Sequence, residues 1–183
     1  MQGILTGTGQ WLLSDPIFKK WKDDSASSIL WLHGIPGSGK SKLVYVFYMS
    51  NSNLTITKTL SLVVVEDALA RYKAGDSPQP IFFYCSRNPV EPARSNPQVI
   101  LASLARQLSC LEPGKPLLKP SVNIFREKEA EGFASGSLQI DESFNLVLQL
   151  IAQYPLTTIV IDAMDECDPQ KRHELLKALE KIL

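Results

Sequence analysis

The sequence predicts an α/β fold in which a mainly parallel β-sheet is flanked by helices in a three-layer α/β/α arrangement. Two observations predict this class. Short runs rich in β-branched and aromatic residues alternate along the chain with longer segments whose apolar residues recur at helical spacing. The short runs are almost continuously apolar, which is typical of strands that helices cover on both faces. The length of 183 residues suits one domain with a sizeable core.

A preface segment is predicted at residues 1–27, ahead of a core domain at 28–183. Within the preface, the pair Asp15–Pro16 favours the start of a short helix that runs through Trp21. Trp11 lies just upstream of this pair. Because both tryptophans are large and mostly apolar, we expect them to fill part of the core, with the alternative that the segment around Trp11 flanks the base of the nucleotide.

Three apolar runs have the length and the residue types of β-strands. Each run is short and contains β-branched or aromatic residues, and it is followed by a turn residue or a charged residue. The runs are residues 28–33, 81–85 and 156–161, and Asp162 follows the last of them.

Helices are predicted between and after these strands from apolar spacing and from end signals. Asn96 is a preferred N-cap residue and Pro97 suits the first helical position, so we expect a helix at 98–108. The remaining predictions are a charge-rich amphipathic stretch at 122–131, a helix at 141–154 that ends before Pro155, and a last helix capped by Asp168 and Pro169, with Leu175, Leu176, Leu179 and Ile182 on one face.

The first predicted strand leads into a phosphate-binding motif of the form G-x-x-x-x-G-K-S. In such a loop, glycines allow close approach of the backbone, and successive N–H groups point at the phosphates of a nucleotide. We expect Lys40 to reach the β and γ phosphates of ATP or GTP, and the Ser41 hydroxyl to bind Mg²⁺. The predicted nucleotide-binding residues of this P-loop, or Walker A motif, are Gly34, Ile35, Pro36, Gly37, Ser38, Gly39, Lys40 and Ser41.

An acidic motif of the Walker B type follows the last predicted strand. Asp162 ends the strand, where a carboxylate is costly to bury without a cation, so we predict that it binds Mg²⁺. Asp165 and Glu166 come about one helical turn later and are the candidate catalytic residues, with Glu166 as the base that activates water. An alternative is that Asp165, Glu166 and Asp168 only favour the start of the last helix.

Together the two motifs resemble the NACHT family of STAND-class P-loop NTPases, in its fungal form. Residues 31–41 and 159–168 carry the resemblance, and residues 7–11 and the helix at 97–108 also fit. The resemblance implies the P-loop NTPase fold, ATP or GTP binding and slow Mg²⁺-dependent hydrolysis. It also implies a signalling switch in which the bound nucleotide controls self-association or binding to NACHT-protein partners.

Two departures from the family pattern accompany the resemblance. In the family, a sensor strand follows the last helix, so we expect a nucleotide-binding domain that is incomplete at its C-terminus. Residues 45–63 interrupt the helix that should follow Lys40, and joining Val44 to Val63 would restore its amphipathic pattern. We therefore predict an insertion at 45–63, which exceeds the usual length of a core connection and is either a genuine hairpin or an intron retained in the gene model.

Charge and cysteine content argue against several classes of partner. Nineteen basic residues balance nineteen acidic ones, so we expect no binding to nucleic acid or to a membrane surface. Three cysteines without CxxC spacing favour neither a disulfide framework nor a zinc site. The N-terminus lacks the pattern of a secretory signal, so the predicted location is the cytoplasm.

Two other functions remain open at this stage. A nucleotide-binding interaction module, or a truncated fragment without turnover, would share the same motifs. A small-molecule P-loop kinase is less favoured, because the stretch 119–136 offers only Arg126 for an arginine-bearing lid. Arg87 follows the second predicted strand, from which it could approach the phosphates, but we favour a surface position for it. We predict that Arg172 belongs to a solvated helix face with Lys171 and Lys177.

Overall fold

The structure, a computed structural model, describes residues 10–23, 60–110, 114–132 and 136–182. Among these residues, no helix is both long enough and apolar enough to cross a membrane. The helices are α1 (Gln10–Ser14), α2 (Pro16–Asp23), α3 (Leu60–Ala74), α4 (Pro97–Leu108), α5 (Lys119–Ala130), α6 (Ile140–Ile151) and α7 (Arg172–Glu180). The strands are β1 (Ile81–Tyr84) and β2 (Ile159–Asp162), and short 3-10 turns cover Pro92–Ser95 and Met164–Glu166.

The two strands form a parallel sheet, as the sequence predicts for them. Ile81 lies opposite Ile159, and Tyr84 at the end of β1 lies opposite Asp162 at the end of β2. The described part of the chain therefore combines helices with a small parallel sheet. Both strands end at the same edge, which is where ligands bind in open α/β sheets.

The chain divides into two compact units, of which the first runs to Asp67. The helix start predicted at Asp15–Pro16 is confirmed, and the Asp15 carboxylate caps α2 by accepting hydrogen bonds from the N–H groups of Ile17 and Phe18, at 2.8 and 3.1 Å. The Phe18 ring is buried, and the Lys22 ammonium pairs with the Asp67 carboxylate at 2.7 Å. The core prediction for Trp11 is wrong, because 60% of its surface is exposed.

The second unit covers Ala68–Ile182 and contains both strands. Its core is built mainly from α4 and α6, which pack against each other with fully buried leucine, isoleucine and valine side chains. The Asn96 side chain accepts from the Gln98 N–H at 3.0 Å, so the predicted cap and proline start of α4 are confirmed. The Tyr154 hydroxyl donates to the Leu108 carbonyl at 2.7 Å and ties the end of α6 to the end of α4.

Side chains close the outer edge of β1. Gln107 of α4 bonds to both main-chain groups of Phe82, its amide oxygen accepting at 3.1 Å and its amide nitrogen donating at 2.9 Å. The Arg94 guanidinium donates twice to the Tyr84 carbonyl, at 3.0 and 3.1 Å. These bonds occupy the positions at which another strand would pair, so β1 is an edge strand of its sheet.

Several predicted boundaries shift in the structure. Helix α6 ends at Ile151, three residues before the end predicted at 154. Beyond Ile151 the backbone forms hydrogen bonds between residues three apart, such as Tyr154 N–H to the Ile151 carbonyl, which belong to a tighter turn than an α-helix. Helix α7 starts at Arg172 rather than at Asp168. The Asp168 carboxylate instead accepts from the Gln170 N–H at 2.9 Å and forms a separate turn ahead of the helix.

The other predictions for residues 24–59 lie outside the described residues. They include the strand at 28–33 and the P-loop. Of the predicted insertion at 45–63, only residues 60–63 are described, and they form the first turn of α3.

Candidate functional site

Asp162 stands at the carboxyl end of the sheet. Its main-chain carbonyl accepts from the Cys85 N–H at 3.0 Å, which extends the pairing of the two strands by one bond beyond Tyr84. One oxygen of the Asp162 carboxylate accepts from the Ala163 N–H at 2.8 Å. This short-range bond fixes the direction of the carboxylate at the point where the strand stops.

Ala163 turns the chain sharply after β2. It adopts a left-handed backbone conformation with φ of 52°, which residues other than glycine seldom take. The Ala163 carbonyl then accepts from the Glu166 N–H at 2.8 Å and starts the 3-10 turn Met164–Glu166. Strain of this kind tends to cluster at functional sites. Here it brings Asp165 and Glu166 back to the end of the sheet rather than away from it.

The loop after β1 meets this acidic turn. The Arg87 N–H donates to the Glu166 carboxylate at 3.1 Å, and the Arg87 guanidinium donates to the Asp165 carbonyl at 2.5 Å. From the other side, the Arg172 guanidinium donates to the same carbonyl at 2.5 Å and to the Cys167 carbonyl at 3.1 Å. The Asp165 side chain is exposed, whereas Glu166 is half-buried.

A second junction joins the two loops at Ser95. Its carbonyl accepts from the Asp168 N–H at 2.8 Å and from the Cys167 thiol at 3.3 Å. Because Ser95 directly precedes the N-cap Asn96, the start of α4 is tied to the chain that follows the acidic turn. The site is therefore held by main-chain bonds as well as by arginine side chains.

Burial dominates the electrostatics of the groups beneath this turn. Burial, and after it the nearby Cys167 and Asp162, raise the pKa of the Cys85 thiol to about 12. Burial also raises the pKa of the Tyr84 hydroxyl and of the Cys167 thiol, and the negative charge of Asp162 adds to the shift at Tyr84. At neutral pH these three groups are therefore uncharged and add no negative charge near Asp162.

The family model described as "Nephrocystin 3, N-terminal" matches residues 7–183 of this chain. The chain belongs to this family. The Nephrocystin 3 N-terminal domain occurs in NACHT-like proteins, which agrees with the context that the two sequence motifs indicate. No curated protein and no solved structure matches the chain significantly.

The structure brings three of the predicted site residues together. Asp162, Asp165 and Glu166 lie at one end of the sheet, on a single turn. The predicted phosphate-binding residues, Gly34 to Ser41, lie outside the described residues. Among the residues that are described, no group of three His, Cys, Asp or Glu side chains could hold a metal ion. One carboxylate and one hydroxyl, from Asp162 and Ser41, are a donor set that suits Mg²⁺, which keeps most of its water ligands.

Two arginines of this site have roles that the sequence did not predict. The prediction of a solvated side chain is wrong for Arg172, which is half-buried and binds two carbonyl groups. Arg87 is exposed, as predicted, yet it contacts the acidic turn through both its main chain and its side chain. A signal was available for Arg172, because a cation in the first turn of a helix opposes the helix dipole and calls for a local reason.

Proposed function

We propose that this domain binds ATP or GTP with Mg²⁺ through the P-loop Gly34–Ser41 and has the P-loop NTPase fold of the fungal NACHT type. In this proposal it is the nucleotide switch of a cytoplasmic STAND-class signalling protein, whose bound nucleotide controls self-association or binding to NACHT-protein partners. The observation that carries the proposal is the parallel pairing that puts Asp162 at the carboxyl end of the sheet. The family match over residues 7–183 supports it.

The closed edge of β1 also supports the proposed fold. A P-loop fold needs at least one more parallel strand, and the sequence predicts it at 28–33, directly before the P-loop. Gln107 and Arg94 occupy the outer side of β1, so a further strand of this sheet has to add beside β2. The carboxyl ends of parallel strands lie at the same edge of a sheet, so the P-loop and Asp162 would lie at the same edge in this proposal.

Each residue of the proposed site has a distinct role. Lys40 neutralises the β and γ phosphates as a point charge, while Ser41 and Asp162 hold Mg²⁺. When bound, Mg²⁺ neutralises charge that develops on the phosphate oxygens. Glu166 orients and deprotonates the attacking water, and its hydrogen bond from the Arg87 N–H at 3.1 Å holds the carboxylate in place. Asp165 is exposed and is the weaker candidate for the base.

A thermal-shift panel tests nucleotide binding. Mg-ATP, Mg-dATP and Mg-GTP are compared for the wild type, Lys40→Ala and the control Lys73→Ala, which removes an exposed lysine from α3. A nucleotide present at about 100 times its Kd raises the Tm by roughly 5 to 10 °C. We expect this rise in the wild type and in Lys73→Ala, but not in Lys40→Ala. If no nucleotide shifts the wild type, the proposed function is wrong.

A phosphate-release assay separates hydrolysis from binding without turnover. We expect Glu166→Gln to lower phosphate release to the level of Lys40→Ala while keeping the Mg-ATP thermal shift, because it removes the base and leaves the P-loop intact. Asp165→Asn is the matched control and should retain most of the release. If the wild type binds nucleotide but releases no phosphate above the Lys40→Ala level, the domain is a binding module without turnover.

A further inference from the structure

Two arginine side chains converge on a single acceptor at the end of the sheet. The Nη2 atoms of Arg87 and Arg172 each lie 2.5 Å from the Asp165 carbonyl oxygen. Because they share that oxygen, the two nitrogens are at most about 5 Å apart. At this separation, two positive charges repel each other, and the repulsion is stronger where the site is partly shielded from solvent.

A third arginine in the same region shows what a structural role looks like. Arg94 donates through Nε and Nη2 to the Tyr84 carbonyl and through Nη1 to the Glu91 carboxylate, at 2.8 to 3.1 Å. All three of its nitrogens have an acceptor, and a carboxylate balances its charge. Arg94 needs nothing from outside the chain to satisfy it.

Arg87 and Arg172 differ from Arg94 in both respects. A guanidinium has five N–H donors, yet Arg87 uses only Nη2, and Arg172 uses only Nη2 for its two bonds. The Arg172 Nε is buried without a hydrogen-bond partner in the described part of the chain. Neither guanidinium forms an ion pair with a described carboxylate. The Glu166 carboxylate accepts from the main-chain N–H of Arg87 and not from its guanidinium.

We propose that Arg87 and Arg172 together form a binding site for a tetrahedral phosphoryl group. Two adjacent guanidinium groups with unused donors match the several oxygens of such a group, and its charge removes their mutual repulsion. Their place at the carboxyl end of a parallel sheet is where ligands of open α/β sheets bind. The site lies outside the P-loop, and two sources of its ligand share the same chemistry: free inorganic phosphate and the terminal phosphate of a nucleoside triphosphate.

The first arm of the test uses inorganic phosphate and does not depend on nucleotide binding. Calorimetric titrations at constant ionic strength are made on the full chain carrying Lys40→Ala, alone and combined with Arg87→Ala. Arg126→Ala is the matched control, because it removes an exposed guanidinium from α5. For free phosphate as the ligand, we expect Arg87→Ala to weaken binding by at least about tenfold, the worth of one charge-assisted hydrogen bond, and Arg126→Ala to change nothing.

The second arm compares ATP with ADP on chains that keep Lys40. For a terminal phosphate as the ligand, Arg87→Ala lowers the preference for ATP over ADP by at least about tenfold and leaves the affinity for ADP unchanged. Arg172→Lys keeps the charge but loses the planar fork, so it should act in the same direction without removing a buried cation.

The outcomes separate this proposal from the proposed function. Loss of phosphate affinity in the first arm, or loss of the ATP preference in the second, supports the two-arginine site and identifies the source of its ligand. If Arg87→Ala changes neither quantity, the site is overturned. A chain that binds no nucleotide at all contradicts the proposed function, and then the phosphate titration alone decides about the two arginines.

Discussion

The side-chain amide of Gln107 bonds to both the N–H and the carbonyl of Phe82, at 3.1 and 2.9 Å. An amide group carries the same donor and acceptor as a peptide unit, so Gln107 takes the place of one residue of a neighbouring strand. Helix α4 thereby satisfies the outer edge of β1 without a strand. An edge that is closed in this way does not pair with another chain.

Replacing Gln107 by leucine tests this edge. Gln107→Leu keeps the volume of the side chain but leaves the N–H and the carbonyl of Phe82 without partners. Because Phe82 is half-buried, we expect a loss of about 1 to 2 kcal/mol in the free energy of unfolding, measured by urea denaturation. Gln153→Leu, at an exposed position, should change stability by less than about 0.5 kcal/mol. Equal effects of the two variants would show that the amide bonds do not stabilise the strand.

Glycine at position 163 should relieve backbone strain. Ala163 has φ of 52°, a conformation that costs a residue with a Cβ about 1 to 2 kcal/mol. Part of this gain is lost to the greater freedom of glycine in the unfolded chain, so we expect Ala163→Gly to raise stability by about 0.5 to 1 kcal/mol. Ala102→Gly, within α4, should instead lower it by up to about 1 kcal/mol. A loss of stability in Ala163→Gly would contradict the left-handed turn.

Thiol labelling should separate the three cysteines. Cys85 and Cys167 are buried and their pKa values are raised, so little reactive thiolate forms at neutral pH, whereas Cys110 is only half-buried. Peptide mass spectrometry after brief treatment of the folded protein with iodoacetamide should find the label at Cys110 first. All three should react in urea. Labelling of Cys85 as fast as Cys110 under native conditions would contradict its burial.

The raised pKa of Cys85 also predicts a loss of stability in alkali. Its folded-state pKa of about 12 lies above the ordinary value of 9.0, so the folded chain holds a proton that the unfolded chain releases between these values. The stabilisation is complete below pH 9.0 and is lost as the pH rises toward 12. Cys85→Ala should therefore flatten the decline of the Tm across this range, relative to the wild type.

The ion pair between α5 and α6 should make the stability of the folded chain depend on pH in the acid range. The Lys128 ammonium bonds to the Glu142 carboxylate and lowers its pKa, and the Gln139 N–H lowers it further. A lowered pKa means that the stabilisation is present above the ordinary glutamate value of about 4.3 and is lost as the pH falls through the lower folded-state value.

A lysine substitution on α5 measures this pair. Lys128→Met should lower the Tm at pH 7, and the difference from the wild type should vanish once the pH falls below the folded-state pKa of Glu142. Lys119→Met removes an exposed lysine from the same helix and should leave the Tm unchanged at both values of pH. A Tm difference for Lys128→Met that persists in acid would mean that the pair contributes through packing rather than through charge.

Features set by neighbours in sequence could be predicted, and features set across the fold could not. The caps Asp15 and Asn96 act on residues two or three positions away, so their residue types reveal them. Asp162 could be assigned to the end of a strand for the same reason. Gln107 and Arg172 take their roles from residues that only the fold brings near, and Arg172 reads from sequence as one of several exposed cations.

The Ser95 carbonyl oxygen accepts two hydrogen bonds and so fastens two separate parts of the chain to each other. It accepts from Asp168 and Cys167 beyond the acidic turn, and it stands one residue before α4 begins. The start of α4 and the chain after the acidic turn therefore share one acceptor atom, so neither can shift far without breaking a hydrogen bond to Ser95. At the other end of α4, the Tyr154 hydroxyl bonds to the Leu108 carbonyl, so both ends of this helix are fastened by contacts from outside it.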